Sequence, residues 1–136
     1  MVYSAQRTSS WCRCLVLLSF LVTTCGCQIG GARSASELVR SLPAYPNARF
    51  LSEFQTALPD DVPSSGVTYE SDDQSDQVSE FYVSALPAEG WDLVSSVEQP
   101  PPGVPWQLRF ERKGWWCQVV IEENAATQIR VRVGKQ

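Results

Sequence analysis

Among side chains able to do chemistry, this chain offers five cysteines, many carboxylates and five tryptophans, but no histidine. A serine or cysteine nucleophile needs a nearby base or cation to activate it. Lys113, in a turn, and Lys135, near the C-terminus, are the only amine side chains, and neither placement suits that task. Cys117 sits between Trp116 and Gln118 in an apolar strand pattern and reads as a small core residue. Asp72-Asp73-x-x-Asp76 has the oxygen ligands a hard cation such as calcium wants. It lacks the glycine and terminal glutamate of an EF-hand loop, and helix starts use the same residue types. No glycine-rich phosphate loop is present, so the reading is a non-enzymatic domain with no metal and no cofactor.

Four tryptophans, Trp91, Trp106, Trp115 and Trp116, surround a run of β-type segments. Neighbours in a strand point to opposite faces, so either Trp115 or Trp116 lies off the core. An outward Trp beside a proline-rich loop is a recognition anchor, or else it caps the far side of the sheet. Trp106, Trp115 and Trp116 are therefore the candidate binding residues. They would serve a protein partner on the open sheet face with the loop Gln99 to Pro105, or a small ligand or glycan in a cleft between helix and sheet.

The N-terminal segment carries Arg7 and Arg13, the apolar run Leu15 to Val22, and then Thr23-Thr24-Cys25-Gly26-Cys27. A cationic head, a short apolar centre and small residues before a cleavage point make an export signal, and the run is short of the ~20 residues a membrane-spanning helix takes. The end of the segment resembles a bacterial lipoprotein signal. Cys27, with Gly26 directly before it, is favoured as the lipid-bearing residue; Cys25 is the alternative, with Val22 at −3 but branched Thr24 at −1. If Cys25 carries the lipid, Cys27 is free to pair with Cys117 in an oxidising compartment. The expected location is the cell membrane, through an N-terminal lipid, facing the periplasm or exterior. Gln28 in place of an aspartate after the anchor favours the outer membrane where there are two.

These boundaries divide the chain into a lipoprotein signal peptide, 1–26, a tether with a possible short helix, 27–44, and a single α+β domain, 45–136. Without Arg7 and Arg13 the mature part has a net charge of −6, which argues against nucleic acid, whose binding rests on neutralising phosphates. Charge is also segregated: eleven acids and no base lie between Phe50 and Leu108, whereas the last 28 residues hold six bases and three acids.

The elements that must position these residues follow from hydrophobic period. Ala35, Leu38, Val39 and Leu42 suggest a short helix over Ser36–Leu42, stopped by Pro43. Arg49–Gln55 and Gly66–Glu70 are strand candidates, with turn chemistry from Leu58 to Ser65 between them. Val78, Phe81, Tyr82, Ala85 and Leu86 mark an amphipathic helix from about Asp73 to Ala85. Ser71 with Gln74, or Asp72 and Asp73, would cap its start; Pro87 and Gly90 end it. The period then falls to 2. Trp91, Leu93, Ser95 and Val97 alternate, then Trp106, Leu108 and Phe110, then Cys117, Val119 and Ile121, then Ile129, Val131 and Val133. The prolines from Pro100 to Pro105 interrupt the run as a stiff loop. The expected fold class is α+β, one main amphipathic helix packed on an antiparallel sheet that ends in a four-strand meander.

Tyr45-Pro46-Asn47-Ala48, followed by Phe81-Tyr82, Leu86 and Gly90-Trp91, resembles a group of small, uncharacterised bacterial lipoprotein domains. That group has a Tyr-Pro-x-Ala opening and a Phe-Tyr-x-x-x-Leu-x-x-x-Gly-Trp helix-to-strand turn. The resemblance implies this architecture and the lipid anchor, and brings no activity or ligand with it. The expected role is a binding or accessory module for an envelope protein, or alternatively a small-ligand or glycan receptor using exposed tryptophans.

Overall fold

A six-stranded antiparallel sheet organises residues 33–56, 63–97 and 100–136, the residues that the computed structural model describes. They belong to one unit, Gly31–Gln136. The expected signal segment with Cys25 and Cys27, and the stretch 57–62, lie outside the described residues. In chain order the elements are α1 (Ala35–Arg40), β1 (Arg49–Thr56), β2 (Ser64–Ser71), α2 (Ser75–Ala88), β3 (Asp92–Ser96), β4 (Trp106–Arg112), β5 (Trp115–Glu123) and β6 (Thr127–Lys135). The strand order is β1-β2-β6-β5-β4-β3, all neighbours antiparallel.

This corrects the expected architecture of one main helix on a sheet ending in a four-strand meander. Strand accounts for 48% of the described residues and helix for 21%, so the sheet dominates. The last strand is also no edge, because β2 pairs along the outer side of β6 from Ser64↔Gly134 to Ser71↔Thr127. The reason the sequence understates β2 is its composition. Ser64, Ser65, Gly66 and Ser71 are all buried, and small polar residues give no period-2 hydrophobic signal.

Directly paired residues share a face of the sheet. One face carries Val67, Ile129, Val131, Val133, Cys117, Val119, Ile121, Leu108 and Phe110, and both helices pack on it. On α2, Val78, Tyr82 and Leu86 recur every four residues and are fully buried; Val78 and Leu86 each contribute about 1.5–3 kcal/mol by leaving water. α1 is capped by a Ser34–Glu37 capping box and buries Leu38 and Val39 in the same core.

The start of α2 departs from expectation. Its N-cap is Gln74, which makes no side-chain cap bond. Ser71 Oγ instead accepts from the Asp73 amide at 3.1 Å. Asp73 is engaged elsewhere: its Oδ2 accepts from Tyr45 Oη at 2.8 Å and from Asn47 Nδ2 at 2.9 Å. At the other end the helix continues through Pro87 to Ala88. Pro87 and Val83 are both exposed, so the carbonyl that a proline leaves without a donor belongs to the solvated side. Gly90, at φ +82, then turns the chain, and the Trp91 amide reaches back to the Leu86 carbonyl at 3.1 Å.

Candidate functional site

Between α2 and the β3–β4 edge runs a groove of about 620 Å³, within the usual 300–1,000 Å³ range of small-molecule sites. α2 supplies one wall with Ser75, Ser79 and Val83, spaced four apart, and the carboxylates Asp76 and Glu80 above them. The opposite wall is Leu93, Ser96, Trp106 and Leu108. Val83 and Leu93 are each 39% exposed, so an apolar surface lies open to solvent where a helix and a sheet usually close on each other.

A β-bulge shapes this wall. The β3–β4 register shifts between Leu93 and Ser95, so Leu93 pairs with Phe110 and Ser96 with Leu108, placing both on the helix side. The simple alternation Trp91, Leu93, Ser95, Val97 is thereby corrected: Ser95 pairs with Arg109 on the far face. A bulge inserts one residue and resets the phase, a change that a strict period cannot reveal.

Trp106 borders a second hollow of about 520 Å³ beneath the proline loop, which also touches Ile121, Glu122 and Glu123. Pro101-Pro102-Gly103-Val104 forms a tight turn, closed by the Val104 amide on the Pro101 carbonyl at 3.0 Å with Gly103 at φ +82. Ser75 and Pro100 line both hollows, as Trp106 does. Ser75 Oγ donates to Glu123 Oε2 at 2.6 Å, joining the start of α2 to the end of β5.

The three candidate tryptophans do not form one site. Trp106 pairs with Ile121, and Arg112 with Trp115, so Trp106 and Trp115 lie six residues apart along the strands, about 20 Å at ~3.3 Å per residue. Trp115 is half-buried on the helix side, beside a hollow of about 420 Å³ with Arg33, Leu38, Arg112 and Lys113. Trp116 is the one on the far face, yet only 9% of its surface is exposed. The Arg109 guanidinium lies 4.7 Å from its ring centroid and that of Arg132 5.6 Å away. Trp116 therefore caps the far side of the sheet. It is also at the opposite end from the proline loop, so the two do not make a joint recognition surface.

Cys117 is fully buried and forms no disulfide among the described residues. Burial pushes its thiol up to about 12, against the smaller opposing pull of Arg109 and Arg112. A thiol held that far from ionisation is a poor nucleophile near neutrality. Among the described residues no group of three or more acids or cysteines is placed to hold a metal ion, and no helix is long and apolar enough to cross a membrane.

Ser75, Ser79, Glu80, Val83 and Ser96 are the groove residues that the sequence left unmarked. Val83 lies off the main stripe of α2, an apolar residue on an otherwise polar flank, which is the one sequence signal for it.

The sequence model of the START domain-like family matches residues 52–131, more than half of the chain, from β1 into β6. An uncharacterised protein of the archaeon Archaeoglobus fulgidus is 29% identical over 87 residues, which cover 64% of this chain and 91% of the relative. That relative thus contains little besides the shared domain. No solved structure matches the chain.

Proposed function

The chain belongs to the START domain-like family, and we propose that it is a non-enzymatic small-ligand receptor, held at a bacterial envelope membrane through a lipid on Cys27. The observation that carries the ligand reading is the groove beside Trp106, a trough with Val83 and Leu93 exposed on its two walls above buried Leu108. Its walls favour an apolar body over a glycan, whose hydroxyls would want more partners than Ser75, Ser79 and Ser96 supply. Family membership supports a ligand-binding type of domain, and the lipoprotein-like signal with the Tyr-Pro-x-Ala opening supports the envelope.

Two measurements test this. Titration of the protein with 1-octanol should change the intrinsic Trp fluorescence and give a saturable heat, both weakened about tenfold or more by Trp106→Ala. A flat response sinks the ligand reading. Intact mass of the membrane-extracted full chain should show a diacyl or triacyl increment that Cys27→Ala abolishes. An increment that survives Cys27→Ala but not Cys25→Ala moves the anchor, and an unmodified soluble protein removes it.

A role as accessory module for an envelope protein is the second reading, favoured by the β3 edge. Its neighbour on one side is β4, and among the described residues no strand pairs with its other side, with Leu93, Val94 and Val97 exposed. Open strand edges pair readily with other chains. Cross-linking from a photoreactive residue at Val94 should capture an envelope protein if this reading holds; capture of none rejects it.

A further inference from the structure

We infer that the groove selects ligands whose apolar body ends in a cationic head, such as an alkylamine or a quaternary ammonium; this rests on the groove being the ligand site. Neither of the two hollows that meet at Trp106 is lined by a basic side chain. The acids that line them differ in how far they are already compensated. Glu122 is ion-paired with Arg130, and Glu123 accepts the Ser75 hydroxyl at 2.6 Å. Among the described residues Asp76 accepts the neighbouring Gln77 amide at 2.8 Å and nothing else. Neither Asp76 nor Glu80 has an ion-pair partner among the described residues.

These two carboxylates stand one helical turn apart on α2, and like charges at that spacing repel. A cation between them relieves that repulsion, whereas an anionic head adds to it. Along the chain, too, no Lys or Arg occurs from Phe50 to Leu108. The apolar wall of Val83, Leu93 and Leu108 lies directly alongside.

The aromatic side chains point the same way. Trp91 and Trp116 each already have an internal guanidinium over the ring, Arg112 at 4.5 Å and Arg109 at 4.7 Å. Trp106 has none among the described residues, so its ring is available to a cation from outside. An aromatic ring and two carboxylates without ion-pair partners among the described residues, beside an apolar trough, are the chemistry that recognises an ammonium carrying an alkyl chain.

The test uses three probes with one chain length, octyltrimethylammonium, 1-octanol and octanoate, titrated into the full chain with protein-free medium as the blank. Octyltrimethylammonium should bind about tenfold or more tightly than octanol, with octanoate weakest, and the preference should shrink in 0.5 M salt as exposed charges are screened. In Asp76→Asn/Glu80→Gln the ammonium affinity should fall to that of octanol while octanol itself is unchanged. Both positions are exposed, and an unaltered far-UV CD spectrum checks that the variant folds. Equal binding of all three probes overturns the cationic inference and leaves the groove reading standing. A preference that persists in the double variant overturns its assignment to these carboxylates. Binding of none of the probes overturns the groove reading and this inference together.

Discussion

The indole of Trp116 on β5 lies over Gly134, its directly paired neighbour on β6, so closely that a Cβ at position 134 would stand 2.4 Å from Cζ2 of the ring. The same arrangement recurs two strands away, where Phe54 on β1 covers its paired Gly66 on β2. A glycine in a strand gives up side-chain packing, and a cross-strand aromatic restores it. Both pairs lie on the face away from the helices, where they shield the sheet without a second layer.

Gly134→Ala should therefore lift the Trp116 ring from between Arg109 and Arg132 and cost about 1–3 kcal/mol, the usual range for overpacking. Chemical denaturation measures it. In a Trp116→Ala background the same substitution should cost much less, since neighbours in contact are non-additive. Equal cost in both backgrounds would mean the close approach is not what position 134 protects.

Asp73 makes stability depend on acid. Hydrogen bonds from Asn47 first, and Tyr45 second, hold its carboxyl below its ordinary 3.8. A lowered folded value contributes stability above the unfolded value, and the contribution is lost as pH falls through 3.8 and then through the folded value. Wild type should melt at a higher temperature than Tyr45→Phe/Asn47→Ala at pH 6, and the gap attributable to ionised Asp73 should close as pH approaches 2. A gap that stays constant with pH would mean that ionised Asp73 is not its source; Tyr45→Phe keeps the ring that meets Phe81 edge-on at 5.3 Å, so loss of that packing is not the alternative.

Cys117 should resist alkylation in the native protein at pH 8 and react once the chain is unfolded, as read by mass spectrometry of the peptide that contains it. Full burial and a thiol pushed up to about 12 are the reasons. Rapid native labelling at Cys117 would contradict them and revive a thiol role.

Trp115→Ala should leave octanol binding in the Trp106 groove unchanged within about twofold, because the two rings lie at opposite ends of the sheet. A loss equal to that of Trp106→Ala would move the site or show that Trp115→Ala disturbs the whole sheet, which far-UV CD distinguishes.

By itself the sequence determined what local periodicity and turn chemistry dictate. The α2 stripe of Val78, Tyr82 and Leu86 is a run of strong apolar residues at helical spacing. The turn at Lys113 and the burial of Cys117 likewise follow from neighbours in the chain. Tertiary structure decided everything that depends on long-range pairing. β2, marked in the sequence only over Gly66–Glu70, joined β6 along its full length through Ser64, Ser65 and Ser71 as well, replacing the expected one main helix on a meander-ended sheet with a six-stranded sheet and two helices. Asp73 left the helix cap for Tyr45 and Asn47, 28 and 26 residues earlier. The bulge at Val94 placed Ser96 rather than Ser95 on the groove side, and two arginines closed over Trp116 while Trp106 stayed open. Each outcome sets one possible partner against another far away in the chain, and only the folded geometry brings the competitors within reach.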